Sequence, residues 1–245
     1  MKTDYNKIEK KIIKFIKQKV GNKTAIIGLS GGIDSSLVAY LCVKALGKKK
    51  VYGISTPSAS NIKEDTDYAR LVAKNLKIKH SVVDIESIIK SFETKGKFFK
   101  KKLPRANLTA RIRMCCLYGK ANEIDGVVIG TGNKSELKIG YFTKHGDGAT
   151  DILPLGDLYK TEERGLAKYM RLPDEIINKP PSPGLWPGQK DEDELGITYE
   201  LLDQILEAID SKKSLAKFSK NKVKLVKNRV EKNEHKVDLP PICKL

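Results

Sequence analysis

The chain has 245 residues, of which 40% are apolar and 31% are charged, and its net charge is +17. This composition excludes a disordered chain, and no apolar run approaches the roughly 18–20 residues of a membrane span. The N-terminal segment also lacks the continuous apolar stretch of a signal peptide. We therefore expect a folded protein of the cytoplasm with no membrane partner.

Apolar residues in the first half of the chain alternate between helical and strand-like spacing. We predict helices over 4–19, 34–46, 61–76, 84–93 and 105–124, and strands over 23–29, 51–56, 79–83 and 127–130. This alternation predicts an α/β fold, in which right-handed crossovers build a parallel twisted sheet with helices on both faces.

The second half is mainly helical, with predicted helices over 159–170, 198–210 and 214–233. Between them, residues 179–188 (KPPSPGLWPG) are too rich in proline and glycine for regular structure. A loop of this length indicates a functional role. No internal repeat and no sharp change in composition divides the chain.

Two stretches hold most of the excess positive charge. Residues 211–236 contain ten Lys and Arg against two Glu, and residues 95–105 contain six basic residues and no acidic one. Such charge suits a nucleic-acid binder or an enzyme of polyphosphate substrates, and otherwise a solvated surface. Helical spacing in 211–236 favours a solvated helix face. The 95–105 stretch has no clear period and is predicted to be a mobile loop that contacts a ligand.

The four cysteines, Cys42, Cys115, Cys116 and Cys243, have neither CxxC spacing nor histidines at zinc-site spacing. We expect reduced thiols that are mostly packed in the interior.

The segment 28–36 (GLSGGIDSS) follows a predicted buried strand and opens a predicted helix. Open parallel sheets bind ligands at the carboxyl ends of their strands, and Gly31 and Gly32 let a phosphate approach the backbone there. The helix N-terminus adds N–H groups and a positive dipole, and neighbouring serines add hydroxyl donors. Asp34 would repel a phosphate unless a cation lies between them, a position suited to Mg²⁺.

This loop matches neither GxxxxGK[ST] nor GxGxxG. A glycine-rich turn with a capping aspartate is one interpretation. SGGIDSS also resembles the loop of the N-type ATP pyrophosphatases, enzymes that cleave ATP between its α and β phosphates and adenylate a substrate. By itself, this loop leaves several members of that group open. They are GMP synthetase, asparagine synthetase, argininosuccinate synthetase, tRNA-modifying thiolases and lysidine synthetase.

Four further segments narrow the resemblance. They are NLTARIRM at 107–114, GTGNKSE at 130–136, GYFTKHGDGATDILPLGDLYKTE at 140–162 and KPPSPGLWPGQKDEDELGITYE at 179–200. Their order and spacing are similar to ammonia-dependent NAD⁺ synthetases over about residues 1–240. The resemblance implies an adenine nucleotide alpha hydrolase-like fold, a Rossmann-like arrangement in three layers. It also implies that deamido-NAD, ATP and ammonia give NAD⁺, AMP and pyrophosphate through an adenylated nicotinate carboxylate.

The resemblance further implies roles for individual residues. The implied ATP contacts are Gly28, Leu29, Ser30, Gly31, Gly32, Ile33, Asp34, Ser35, Thr131, Lys160 and Ser182. The implied deamido-NAD contacts are Arg111, Lys144, Asp151, His235 and Lys236. Mg²⁺ is the implied cofactor, with Asp34 and Glu136 as its ligands, and the implied catalytic residues are Asp34, Lys160 and Asp151.

Several of these residues have alternative interpretations. Asp151 either binds or deprotonates the attacking ammonium, or it only orders the nicotinate ribose and ring. Glu136 also fits the first turn of a helix, where the dipole stabilises a carboxylate. Arg111 also fits a surface helix, and His235 also fits a solvated tail. Trp186 either stacks on a substrate or anchors its loop, and we expect the anchor.

We expect a single domain over 1–245 without a glutaminase domain, so that free ammonia is the nitrogen donor unless a separate subunit supplies it. The family implies a homodimer with 105–124 near the interface, and no nucleic-acid partner. Loops at 86–104 and 181–196 are expected to close over the nucleotides. Two rival interpretations are a pyrophosphatase-loop enzyme that acts on tRNA and a nucleotide-sensing or nucleic-acid-binding module without catalysis.

Overall fold

The computed structural model describes residues 3–186 and 188–244, which form a parallel sheet with helices on both faces. The strands are β1 Thr24–Gly28, β2 Val51–Ser55, β3 Lys79–Val82 and β4 Gly126–Ile129. The helices are α1 Tyr5–Val20, α2 Ile33–Leu46, α3 Lys63–Leu76, α4 Glu86–Lys95, α5 Lys102–Glu123, α6 Lys134–Ile139, α7 Lys160–Tyr169, α8 Asp174–Ile177, α9 Asp191–Leu195, α10 Tyr199–Asp210 and α11 Lys220–Asn233. Among these described helices, none is both long enough and apolar enough to cross a membrane.

Strand β1 lies inside the sheet, whose order is β3-β2-β1-β4. Ala25 pairs in parallel with Val51 of β2 and with Val127 of β4. Because helices cover both faces, β1 is a continuous apolar run, and Ala25, Ile26 and Ile27 are fully buried. The strands therefore end at one common edge, as the predicted α/β fold requires.

Two apolar clusters pack against opposite faces of the sheet. On one face, α1, α2, α7 and α8 contribute side chains such as Ile16, Leu37 and Leu166, all fully buried. On the other face, Ile26 packs with Leu117 of α5. These three layers confirm the predicted doubly covered sheet.

A third apolar cluster joins α6, α10 and α11 beside the sheet. Ile139, Leu202 and Val226 are buried in it. Lys224 and Lys227 flank Val226 on α11 and are exposed. The prediction of a solvated basic face is confirmed for this helix.

The prediction of a mobile loop over 95–105 is wrong. The chain passes from α4 through a 3-10 turn into α5, which begins at Lys102. Pro104 lies in the first turn of α5, where its missing N–H group costs nothing, and Phe99 packs against the cluster of Ile85 and Ile89. The lysines of this segment point to solvent. Since few apolar residues anchor the segment, its sequence shows no helical spacing of apolar residues. The expected loop over 86–104 overlaps this segment and is largely helical as well.

Other differences concern the ends and lengths of helices. The predicted helix over 214–233 begins only at Lys220, after a stretch of turns. Helices α6, α8 and α9 were not predicted, because four to six residues are too few to show a helical period.

The cysteine prediction is half right. All four are free, but Cys42 alone among them is buried, while Cys115 and Cys243 are exposed. Helix α5 turns Leu108 and Ile112 toward the interior and Cys115 away from it. The expectation that most of the thiols are packed is therefore wrong.

Candidate active site

The loop between β1 and α2 forms a tight turn at the carboxyl edge of the sheet. Gly31 has a φ of +75°, and a Cβ atom there would lie 2.2 Å from the Asp65 carbonyl oxygen, so the position requires glycine. Ser30 Oγ accepts a hydrogen bond from the Gly32 N–H at 3.2 Å and lies 3.0 Å from Ser35 Oγ. These internal hydrogen bonds hold the turn in shape.

Helix α2 presents its N-terminus to the same edge. Gly32 is the N-cap residue, and within the described chain no side chain caps this helix. The first N–H groups can therefore bind an anion, which the helix dipole also favours. The side chains of Leu29, Ile33 and Ser35 are buried, so these predicted ATP contacts would act through the backbone. Gly28 closes the preceding strand.

Asp34 in the first turn of α2 faces a buried lysine. Lys160 Nζ lies 2.5 Å from Asp34 Oδ1 and 4.0 Å from Glu136 Oε1, and the Lys160 side chain is only 1% exposed. Glu163 Oε2 lies 3.4 Å from the same nitrogen. Asn133 Nδ2 donates to Asp34 Oδ1 and to Glu163 Oε2, both at 3.1 Å. The fold thus brings together Asp34, Glu136 and Lys160, which the sequence had separated.

Burial and crowded negative charge control protonation in this cluster. Burial and the charge of Asp34 raise the pKa of Glu136 to about 8. The same two causes raise the pKa of Glu163 well above its ordinary value. Burial also disfavours the Asp34 carboxylate, but the Lys160 ammonium and its hydrogen bonds outweigh that cost and lower the pKa of Asp34. Although burial disfavours the ammonium, the surrounding carboxylates raise the pKa of Lys160, so it remains cationic.

The cluster fits a divalent cation. Three carboxyl groups share one ammonium group, and Glu163 Oε1 is buried without a hydrogen-bond partner among the described residues. No group of three or more His, Cys, Asp or Glu in residues 3–186 and 188–244 is placed so that it could hold a metal ion by itself. Mg²⁺ does not need such a group, because substrate phosphates and water supply most of its ligands. The carboxylates of Asp34 and Glu136 are of the type that Mg²⁺ binds.

Hydrogen bonds to backbone N–H groups fix the start of α7. Asp203 of α10 accepts from the Ser135 hydroxyl at 2.5 Å and from the Thr161 N–H at 2.9 Å. Ser135 Oγ in turn accepts from the Lys160 N–H at 2.9 Å. Asp203 therefore holds both α6 and α7 in the arrangement that aims Lys160 at Asp34.

A separate basic cluster lies where the end of α11 meets the turn that follows α6. Arg111 Nη2 donates to the Lys144 carbonyl at 3.2 Å, and Lys144 Nζ donates to the His235 carbonyl at 2.5 Å. Lys236 Nζ donates to two carbonyl groups of the same turn at 2.6 and 3.0 Å. Four of the five predicted deamido-NAD contacts are thus brought together.

Asp151, the fifth, lies at the outer edge of β4, where its own segment forms a parallel bridge between Ile152 and Ile129. Its Oδ2 accepts from the Val128 N–H at 2.7 Å, and its Oδ1 accepts from the Tyr118 hydroxyl at 3.1 Å. Burial, with the charge of Asp151, raises the pKa of Tyr118 to about 12. The hydrogen bonds of Asp151 therefore lead to the sheet edge and α5, and not to the Lys160 cluster.

Thr131 and Ser182 lie on different loops. Thr131 is half-buried in the turn after β4, two residues before Asn133. Ser182 is exposed, and its Oγ accepts from the Gly184 N–H at 3.2 Å. In the same loop, the Trp186 ring lies 4.0 Å from Lys102 Nζ, a contact that favours its interpretation as a loop anchor.

Sequence reasoning missed Glu163 and Asn133. Lys160 and Glu163 are three residues apart on a predicted helix, a spacing that puts them on one face. Asn133 and Glu136 form a capping box, in which each side chain accepts from the other residue's N–H at 3.0 and 3.1 Å. Both signals were present in the sequence, but only the fold brings the two pairs into contact.

Comparison of the sequence with known proteins finds one matching family and similar proteins. A family described as NAD synthase matches residues 5–240. The NH(3)-dependent NAD(+) synthetase of Methanocaldococcus jannaschii is 49% identical, over 96% of this chain and 95% of that protein. The one from Thermococcus sibiricus is 45% identical, over 97% and 96% of the two chains.

Solved structures agree in fold and in extent. The NMN synthetase of Francisella tularensis superposes with a TM-score of 0.91 at 34% identity, and the match covers 99% of this chain and 100% of that one. The NH3-dependent NAD synthetase of Campylobacter jejuni, solved with a nitrate ion, superposes with a TM-score of 0.86, at the same identity and coverage.

Proposed function

The chain belongs to the NAD synthase family, and we propose that it catalyses the ATP-dependent amidation of deamido-NAD by ammonia to give NAD⁺, AMP and pyrophosphate. The observation that carries this proposal is the contact of Lys160 with Asp34 and Glu136, beside a helix N-terminus that no side chain of the described residues caps. That arrangement suits the departure of a pyrophosphate group. The relatives' names supply the identity of the acceptor.

The chemistry begins with a poor leaving group. A nicotinate carboxylate resists ammonia because hydroxide or oxide would have to leave. Attack of that carboxylate on the α phosphorus of ATP forms a C–O–P bond and releases pyrophosphate. Ammonia then forms the amide bond, and AMP leaves with the former carboxylate oxygen.

We assign the nucleotide end of the site as follows. The backbone of Gly31 and Gly32 and the N-terminus of α2 bind phosphate oxygens, with Ser30, Thr131 and Ser182 as further ATP contacts. Lys160 stays cationic and stabilises negative charge that develops on the leaving pyrophosphate. Asp34 and Glu136 would hold Mg²⁺, which neutralises phosphate charge when it is bound.

We assign the acid substrate to the basic cluster. Arg111, Lys144, His235 and Lys236 would bind the phosphates and carboxylate of deamido-NAD. For Asp151 we favour an ordering role, because both of its oxygens already accept hydrogen bonds. The alternative, a base for ammonium, requires the pH dependence of ammonium use to change in Asp151→Asn.

The proposal is tested by product stoichiometry. We expect purified protein with deamido-NAD, MgATP and ammonium to form NAD⁺, AMP and pyrophosphate in equal amounts. Reactions without ammonium should give no NAD⁺. If AMP formed with other acceptors but deamido-NAD gave no NAD⁺, deamido-NAD would be refuted as the substrate. The assignment of adenylation chemistry would be unaffected.

A second candidate is the corresponding mononucleotide acid. Its support is the TM-score of 0.91 with an NMN synthetase. We prefer deamido-NAD because the curated relatives named above are NAD⁺ synthetases at 45–49% identity. Comparing kcat/KM for the two acids decides between them, and a higher value for the mononucleotide would reverse the preference.

We further propose a homodimer in the cytoplasm. Phe98 and Leu103, near the start of α5, are 60% and 67% exposed, which favours a covering partner. Exposed free thiols at Cys115 and Cys243 suit a reducing compartment. Light scattering should give twice the chain mass of 27.3 kDa, and the mass of one chain would refute the dimer.

A further inference from the structure

Arg113 lies on α5 only two residues after Arg111, but it contacts a different part of the molecule. Its Nη2 donates to Asn61 Oδ1 at 2.9 Å and to the Gly184 carbonyl at 3.4 Å. Its Nη1 donates to the Pro183 carbonyl at 3.5 Å. One guanidinium group thus joins α5, the loop after β2 and the loop that carries Ser182.

The loop after β2 makes further contacts with the same point. Ser60 Oγ donates to the Gly184 carbonyl at 3.2 Å. Gly184 has a φ of +59°, and a Cβ atom there would lie 2.9 Å from Asn61 Nδ2. The positive φ favours glycine, and a Cβ atom there would push the Asn61 side chain away. The two loops are therefore in contact at one crowded position, which Arg113 spans.

The surroundings of Arg113 keep this contact charged. Burial lowers the pKa of the guanidinium, and the negative charges of Asp147 and Asp65 oppose that shift. Arginine remains protonated in proteins under such conditions. Asp147 accepts the Thr143 N–H at 2.9 Å and so belongs to the turn that carries Lys144. Arg113 therefore feels an acidic residue of that turn and contacts the loop of Ser182.

We propose that Arg113 is a positioning residue that docks the loop of residues 181–186 onto Asn61 and thereby sets the affinity of the site for the nucleotide. Arg113 acts through the loop, since Ser182 is the proposed nucleotide contact and Arg113 binds the two residues that follow it. The nucleotide's identity rests on the proposed function. The docking of the loop does not.

The single tryptophan of the chain lies on this loop and reports its position. Trp186 is half-buried, with Lys102 Nζ 4.0 Å from its ring. In Arg113→Gln we expect red-shifted emission and stronger acrylamide quenching, with an unchanged far-UV circular dichroism spectrum. Arg113→Lys should be intermediate, because lysine keeps the charge but loses the fork of donors. Arg164→Lys, which alters an exposed pair with Glu200, is the matched control and should behave like the parent.

The kinetic readout separates positioning from general damage. In Arg113→Gln we expect KM for ATP to rise about tenfold, the loss of a hydrogen bond from a charged donor, with a smaller change in kcat. KM for deamido-NAD should change less. Equal losses in all parameters, or parental KM for ATP, would overturn the proposal.

If Arg113→Gln does not fold, Asn61→Ala tests the contact from the other loop and leaves the arginine in place. It should also increase Trp186 quenching, and unchanged quenching in this variant overturns the proposal. A parent protein that forms no NAD⁺ would refute the proposed function alone, because the fluorescence comparison needs no turnover.

Discussion

Lys160 is the residue on which the proposed chemistry depends most. Its ammonium is buried and bound by Asp34 and Glu163, so its position does not have to be created when the substrate binds. A charge fixed in advance beside developing negative charge is more effective than a mobile one, because it costs no reorganisation during the reaction.

We expect Lys160→Met to lower kcat by about 100-fold or more, the usual effect of removing a preorganised stabilising group. It should also lower the melting temperature, because buried carboxylates lose their counter-charge. Lys134→Met is the matched control, since Lys134 pairs with Asp157 and Asp210 nearer the surface. Its kcat should equal that of the parent. A Lys160→Met enzyme with parental kcat would exclude the assigned role.

The raised pKa of Glu136 predicts that the stability of the protein freed of divalent cations depends on pH. Its pKa rises from 4.5 to about 8 on folding because of burial and the charge of Asp34. The folded state therefore holds this proton more tightly than the unfolded state. Its contribution to stability is complete below pH 4.5 and is lost as pH rises toward about 8, at up to about 1.4 kcal/mol per pH unit.

We expect Glu136→Gln to remove this pH-dependent loss. Urea unfolding at several pH values between 4.5 and 8 would measure it. The free energy of unfolding of the parent should fall relative to that of the variant as pH rises, and added Mg²⁺ should reduce the difference. Parallel curves for the two proteins would mean that Glu136 titrates normally.

At the scale of elements, the position of Lys160 depends on the start of α7. Asp203 holds this start by accepting from Thr161 and from Ser135. Asp203→Ala leaves buried donors without partners, so we expect a loss of about 1–3 kcal/mol in unfolding free energy. We also expect lower kcat, because Lys160 moves with its helix.

Glu207→Ala is the control for that variant, because Glu207 lies on the same helix in an exposed pair with Lys213. It should change stability by less than about 1 kcal/mol and leave kcat unchanged. Chemical denaturation and steady-state rates measure both quantities. If Asp203→Ala were as stable and active as this control, the helix start would not need its acceptor.

The sequence predicted elements well where apolar spacing was regular and long. Helix α1 and strand β1 fall within two residues of their predicted bounds. It failed over 95–105, where lysines outnumber the few apolar anchors, and over α6, which is only six residues long. A short helix has no period to detect, and its capping box is its main local signal.

The site was predicted less completely than the fold. Asp34 and Lys160 stood in motifs that the sequence exposes, and they are in contact. Glu163 showed only its helical spacing from Lys160, and Asp203 showed no local signal, because their importance comes from contacts between helices far apart in sequence. Asp151 was expected either to bind or deprotonate ammonium or to order the nicotinate, and in the structure its oxygens accept from the Val128 N–H and the Tyr118 hydroxyl. Its role stays a prediction.

At the scale of the whole molecule, the parallel sheet explains why the site exists. Asp34, Glu136 and Lys160 come from three segments of the chain. Each of them lies in the first turn of its helix, in α2, α6 and α7 respectively. Helix N-termini that converge on the carboxyl edge of a sheet favour bound anions. The net charge of +17 agrees with two polyanionic substrates.

In the proposed reaction, the nicotinate carboxylate is adenylated in this site before ammonia attacks. The most direct test follows one oxygen atom. Deamido-NAD with ¹⁸O at both carboxylate oxygens would be converted with ATP and ammonium, and the AMP would be examined by mass spectrometry. We expect one labelled oxygen in the AMP phosphate for each NAD⁺ formed, because that oxygen leaves with AMP. Unlabelled AMP, with the label released to water or pyrophosphate, would contradict the adenylated intermediate.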